Sequence, residues 1–334
     1  MTRGRWAVAA AFCLAALLAA AAATWRAALA PPATSAEPQI FEVARGASLQ
    51  TITRQLQAAG LIRNARAVEV LARYRGLGSG LRAGEYRLSA DAPPGAILDK
   101  LARGQVVTYE LVVPEGYTAA MIAERVEAAG LGDADAFLAW VRDARSPADL
   151  GVDGASLEGY LYPETYRLPR GLSSREIAAV LVNQFLRVWR ELEPLAREHS
   201  LSMHEIVTLA SIVEKETGVA EERPLIAAVF LNRLKRGMRL ETDPTVIYGI
   251  PDFDGNLRRS DLENPDNPFN TYRITGLPPG PIANPGRESL AAVLSPAEAD
   301  YLYFVSRNDG THKFSRTYRE HLLAVNEFQK KRLR

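Results

Sequence analysis

Apolar positions along this chain fall into three regimes. From Trp6 to Trp25 they run without a charge, as Ala, Leu, Val and Phe, and as a helix this stretch covers about 30 Å of hydrocarbon. Between residues 39 and 145 short strand-like runs alternate with three-or-four-residue spacing, which predicts strands and helices in turn. Phe41-Glu42-Val43-Ala44-Arg45-Gly46 is echoed seventy positions later by Leu111-Val112-Val113-Pro114-Glu115-Gly116. Ile52, Leu56 and Ala58 to Leu61 are echoed likewise by Ile122, Val126 and Ala128 to Leu131. Each copy reads strand, turn, helix and glycine stop, with a second helix after it, 65–74 and 134–142, behind Asn64 and Asp133 as N-caps. Between the copies Leu81 to Leu88 alternates as a strand, and Pro94 opens a short helix ending near Gly104.

The third regime is a helix over 201–217, with Ser202 as N-cap and Met203, Val207, Ala210 and Glu214 on one row. Low polarity along that row would favour a protonated Glu214, as a general acid requires. The alternative is an exposed carboxylate near a helix end. Glu216 lies about 200° around the helix from Glu214, so the two carboxyls should not share one cleft. Glu216 and Thr217 are therefore expected to support the site. A second helix over 221–236 begins with acids that complement its dipole, and offers Asn232 and Arg233 for polar duty. After it an Asp-Pro turn would present Glu241, Thr242 and Asp243 at a cleft rim. Tyr248 could stack on a sugar, and Asn270 and Tyr272 add amide and hydroxyl. The chain should close with a helix over 289–294, a hairpin of strands 301–305 and 312–314 around Asn308-Asp309-Gly310, and a helix from about Thr317. His312 could reach substrate, but also suits a structural role.

Composition narrows the chemistry. A formal net charge of +1 with no like-charged block beyond Lys330-Lys331-Arg332 gives nucleic acid no footprint. The one cysteine, Cys13, lies in the apolar N-terminal run, so the body can form neither a disulfide nor a thiolate metal site. The four histidines include no HExxH pair, and no phosphate or dinucleotide loop is present, so neither metal nor cofactor is expected. Arg3 and Arg5 before the apolar run favour a cytoplasmic N-terminus and an exported body. A cleaved signal peptide, cut near Ala21-Ala22-Ala23, is the alternative. Residues 30–38, rich in Pro and Ala, read as a semi-extended linker lifting the body off the membrane.

Residues 38–105 loosely resemble a LysM-like module, which implies affinity for N-acetylglucosamine polymers; a plain spacer is the other reading. A more specific resemblance rests on Leu157 to Tyr166, Ala210 to Thr217, Asn232-Arg233-Leu234, Gly237 to Pro244, Asn270-Thr271-Tyr272 and Gly276 to Gly286. In order and spacing these resemble the endolytic murein transglycosylase (YceG-like) family. The resemblance implies an α+β protein: an anchor at 1–29, the linker at 30–38, a LysM-like α/β module at 39–105, and a mixed α+β catalytic domain at 106–334 whose residues 106–145 repeat the module's pattern. It implies a single-pass inner-membrane enzyme with a periplasmic body that cuts the MurNAc–GlcNAc β-1,4 bond of nascent peptidoglycan strands, leaves a 1,6-anhydro end, and works beside peptidoglycan synthases (penicillin-binding proteins). On it Glu214 matches the family's catalytic glutamate, acting first as acid and then as base toward the sugar's own C6 hydroxyl. Two rival readings remain open: a non-catalytic peptidoglycan-binding scaffold, and a hydrolase using a second carboxylate such as Asp243 or Glu241.

Overall fold

The computed structural model describes residues 3–330, with side chains from Trp6 onward; the side chains of Arg3 and Arg5, and Lys331 and Arg332, lie outside the described part. The first helix, α1 (Arg3–Ala28), holds an apolar stretch, Trp6–Ala28, long enough to cross a membrane, and its large side chains are uncovered. With α1 included, the described chain divides into two compact units, residues 3–109 with 169–171, and 110–168 with 172–330.

In unit 1, β1 (Gln39–Val43) leads through α2 (Leu49–Ala58) and α3 (Ala65–Tyr74) to β2 (Gly84–Leu88), its antiparallel partner, and then to α4 (Pro94–Arg103). Ser48 and Asn64 accept the N–H groups of Thr51 and Ala67, satisfying one free donor at the start of each helix. Inward-facing Phe41, Val43, Tyr86 and Leu88 close on Ile52, Leu56, Ile97 and Leu101. The linker is not free. Arg63 Nε donates to Pro31 O at 2.9 Å and Ala33 N to Ala90 O at 3.2 Å, so residues 30–38 run along unit 1 instead of standing off it.

Unit 2 starts with the same pattern: β3 (Tyr109–Val113, entering from the boundary), α5 (Ala119–Ala128) and α6 (Ala134–Arg142), capped by Thr118 and Asp133. After α7 (Ser146–Leu150), β4 (Glu164–Leu168) pairs with β3, as β2 pairs with β1. In β2 and β4 a buried tyrosine donates to the carbonyl four residues back, Tyr86 to Arg82 and Tyr166 to Tyr162, each at 2.6 Å. The repeat thus extends to a second strand, beyond what the spacing predicts.

Helices α8 (Ser174–Ala196), α9 (Met203–Glu216), α10 (Arg223–Lys235) and α13 (Arg287–Leu294) form the core, with short α11 (Asp243–Tyr248) and α12 (Arg259–Glu263) before α13. Every residue of α9 from Ile206 to Val213 is buried. The hairpin β5 (Tyr303–Ser306) and β6 (His312–Ser315) and the helix α14 (Tyr318–Val325) complete the unit. Asp243-Pro244 opens α11 instead of forming a turn, because proline fits the first turn of a helix, where no N–H is needed.

Candidate active site

The last turn of α9 places two glutamates in different surroundings. Ser202 and Glu205 cap the helix reciprocally, Ser202 Oγ accepting the Glu205 N–H and Glu205 Oε2 accepting that of Ser202, and this sets its start. Its end is set by Thr217, which is extended and whose Oγ1 accepts the Val219 N–H at 3.0 Å.

Glu214 does not sit in apolar surroundings. Its Oε2 accepts the Gly286 N–H at 3.0 Å and its Oε1 lies 3.5 Å from Arg223 Nη2. The apolar row ends one turn earlier, and the carboxyl reaches past it into a charged knot. Glu115 joins that knot, 4.0 Å from Arg223, and its own carboxyl is held above the usual range by burial and then by the charge of Glu214. Gly286 closes the knot, since a Cβ there would overlap the Glu115 carboxylate. Glu115, Arg223 and Gly286 carry no signal of this role in the sequence beyond their place in longer motifs.

Behind Gly286 stands Glu158, wholly buried. It accepts from Ala119 N–H at 3.0 Å, Asn284 Nδ2 at 2.9 Å and the Tyr248 hydroxyl at 3.1 Å. Burial pushes its carboxyl up to about 7 against the three donors that hold it down. Tyr248 is therefore tied into this network by its hydroxyl, and its ring meets Phe269 edge to face at 4.8 Å.

Glu216 points the other way, into a cavity of about 440 Å³ shared with Arg233, Glu241, Thr242, Asp243 and Tyr272, among others. Burial raises its pKa first, and the Asp243 carboxylate adds to the rise; the Thr242 hydroxyl donating to Oε1, and His312, act against it. A carboxyl so placed holds its proton into a higher pH range than a solvated one, which is the property a general acid needs. Tyr272 donates to Asp243 Oδ1 at 2.7 Å, and burial and that bond raise its own pKa. Glu241 has a left-handed backbone, φ 51°, costly for a residue with a side chain. Arg233 holds that turn, donating from Nη1 to Leu240 O at 2.8 Å and pairing with Glu241 at 3.3 Å, while its Nε donates to Leu302 O at 2.7 Å.

Two expected contact residues serve the scaffold instead. Asn232 Nδ2 donates to Ala299 O and Tyr301 O at 2.8 and 3.0 Å. Asn270 Nδ2 is shared among three carbonyls, 2.8 to 3.1 Å away, and its Oδ1 accepts the Tyr272 N–H at 3.0 Å, leaving nothing for a saccharide. Among the described residues no group of three or more His, Cys, Asp or Glu could hold a metal ion.

The chain has relatives. A protein named endolytic murein transglycosylase from Bacillus subtilis (strain 168) is 32% identical over 305 residues, covering 86% of this chain and 84% of that one. One of the same name from Streptococcus pneumoniae (strain D39) is 31% identical over 298 residues, and there the match covers only 53% of the relative's length. A 2.6 Å crystal structure of a yceG-like protein from Listeria monocytogenes superposes with a TM-score of 0.59 at 34% identity, over 87% of this chain and 100% of that one. The YceG-like family model itself matches residues 41–327, from the first strand of unit 1 through both sides of α9 to the end of the described core. Spanning so nearly the whole body, that match makes the chain a member of the YceG-like family.

Proposed function

We propose that this chain is an endolytic murein transglycosylase, with Glu216 as its acid. The observation that carries the assignment of the acid is the placement of Glu216: a buried carboxyl with a raised pKa, opening on a cavity large enough for sugar residues and edged by Asp243, Tyr272 and Glu241. Glu214, the expected acid, has its oxygens engaged by Gly286 N–H and Arg223 and does not line that cavity. The family name carried by the relatives supports the reaction class, an endolytic cut in murein.

In the reaction the protonated Glu216 gives its proton to the glycosidic oxygen as the C1–O4 bond breaks. The C6 hydroxyl of the same MurNAc closes on C1, its proton passes to the Glu216 carboxylate, and a 1,6-anhydro end forms. One bond breaks and one forms, the catalyst regains its proton, and no water is used. A single carboxyl suffices because the sugar supplies the nucleophile. The surroundings serve this chemistry by excluding water from Glu216 and by fixing Asp243 and Thr242 beside it.

On the same reading α1 anchors the enzyme in the inner membrane with a cytoplasmic N-terminus and a periplasmic body, the chain acts on nascent glycan strands beside their synthases, and residues 39–105 form a LysM-like module that holds the strand. Domain limits of 1–29, 30–38, 39–105 and 106–334 go with it. Digesting purified glycan strands with the full chain in detergent and weighing the fragments tests the reaction. Anhydro ends are expected; hydrated reducing ends would make it a hydrolase, and binding without release of fragments would make it a scaffold.

A further inference from the structure

The Glu216 cavity contains an imidazole that the reaction above leaves unused. His312 opens β6 opposite Ser306 and lines the cavity with Glu216. Glu222 grips it twice. One oxygen accepts the His312 backbone N–H at 2.8 Å, and the other lies 2.7 Å from Nδ1. Phe304 meets the ring edge to face at 5.4 Å and fixes its plane.

Glu222 belongs to the single 3-10 turn Ala220–Glu222 that joins α9 to α10, six residues after Glu216. The sequence suggests that an acid here complements the α10 dipole, yet its side chain makes no capping bond. Both of its oxygens go to His312, ninety residues away in sequence. A carboxylate oxygen facing Nδ1 accepts the hydrogen that Nδ1 carries, so in the neutral form of the ring Nε2 is left as an acceptor. Nε2 has no hydrogen-bond partner among the described residues, and the cavity is where it is free to find one. Asp243, Glu241, Arg233 and His321 line the same space. Of the cavity's two histidines only His312 has a ring nitrogen paired with a carboxylate; in His321 Nδ1 is buried without a partner.

We propose that His312, held by Glu222, is a positioning residue of this reaction: its Nε2 accepts a hydrogen bond from a second hydroxyl of the bound saccharide and so aims the attacking C6 hydroxyl, whose own hydrogen goes to Glu216. The proposal rests on the transglycosylase reading. It differs from a purely structural tie between the 3-10 turn and the hairpin because it depends on which ring nitrogen carries hydrogen.

Glu222→Gln separates the two. The amide keeps an oxygen for the His312 backbone N–H but turns a donor toward Nδ1, reversing the tautomer while leaving shape and length alone. Anhydro-end formation by the full chain is expected to fall about 100-fold in kcat, with KM and melting temperature near the parent values, the size of effect misorientation of a reacting group produces. His312→Gln, which sets an amide near the Nε2 position, is expected to cleave about tenfold faster than His312→Ala, a fraction of that range. Parent-like kcat in Glu222→Gln, or a loss that only follows a lowered melting temperature, would overturn the proposal. Should Glu222→Gln not fold, equal rates for His312→Gln and His312→Ala would overturn it. A parent enzyme that releases no anhydro ends would instead remove the transglycosylase reading itself.

Discussion

The two sides of the α9 terminus hold the same residue type for opposite purposes. On one side Glu214 is paired: Arg223 faces it, Gly286 N–H caps it, and the Glu115 carboxylate packs where a Cβ on Gly286 would stand. On the other side Glu216 has no cation bonded to it, only a hydroxyl from Thr242 and a neighbouring Asp243 that discourages its ionisation. A buried carboxylate with an ion pair and a backbone donor has found what burial demands, and its free energy is spent on cohesion. A buried carboxyl facing a cavity has not, and that deficiency is what makes it useful as an acid.

Substitutions on either side of the helix end test this contrast. Arg223→Met leaves Glu115 and Glu214 facing each other without a cation. Removing one partner of a buried charged cluster costs about 3–5 kcal/mol. Thermal unfolding should show a sharply lowered melting temperature, while the refolded fraction keeps its activity per folded molecule. A pH-independent loss of turnover without loss of stability would place the Glu214 side in the chemistry.

Glu158 comes next. Its carboxyl is raised from 4.5 to about 7 in the folded protein, so the folded state binds the extra proton between those values. The resulting stabilisation is fully present below about 4.5 and is lost as pH rises through about 7, on the order of 3 kcal/mol at most. In Glu158→Gln, denaturant titrations across this window should show a flatter dependence on pH than the parent; an unchanged slope would deny Glu158 the burial assigned to it. Gly286→Ala forces a Cβ into the Glu115 carboxylate and should cost about 1–3 kcal/mol through overpacking.

The smallest effects distinguish the cavity side by their signs. Asp243 raises the Glu216 pKa and the Thr242 hydrogen bond lowers it. The alkaline limb of kcat/KM, where the acid loses its proton, should therefore move down in Asp243→Asn and up in Thr242→Val. Shifts of the same sign in both variants would show that the limb does not report Glu216.

Much of the scaffold is legible in the sequence, and the orientation of the two acids is not. The repeat is written in residue spacing, so β1 at 39–43 matches β3 at 109–113, and α2 at 49–58 matches α5 at 119–128, by a constant offset alone. The matching strands β2 and β4 are hidden from that offset because an insertion containing α7 changes it, although Tyr-Arg-Leu recurs at 86–88 and 166–168. Long α8 is absent from the predicted elements, despite the Ser173 and Glu176 capping pair at its start. Helical geometry separates Glu214 from Glu216 but cannot say which faces the site. That inference needs one exposed face, and α9 is buried all round from Ile206 to Val213, so an apolar row points to no particular neighbour. What decides the role of each acid lies far along the chain: Gly286 for Glu214, Thr242 for Glu216, His312 for Glu222. Asn232, Asn270 and Tyr248 show the converse, polar residues whose amide or hydroxyl hydrogens are given to the protein itself.

The most direct test compares Glu216→Gln with Glu214→Gln, counting anhydro ends released per folded molecule from the same glycan strands at neutral pH. Glutamine preserves the Thr242 contact in the first and an acceptor for Gly286 N–H in the second, so the folds should persist. Glu216→Gln is expected to lose about 1,000-fold or more in kcat, the scale of a missing general acid. Glu214→Gln should stay within about tenfold of the parent, well short of that scale. The opposite ranking, with Glu214→Gln inactive and Glu216→Gln close to the parent, would contradict the assignment of the acid.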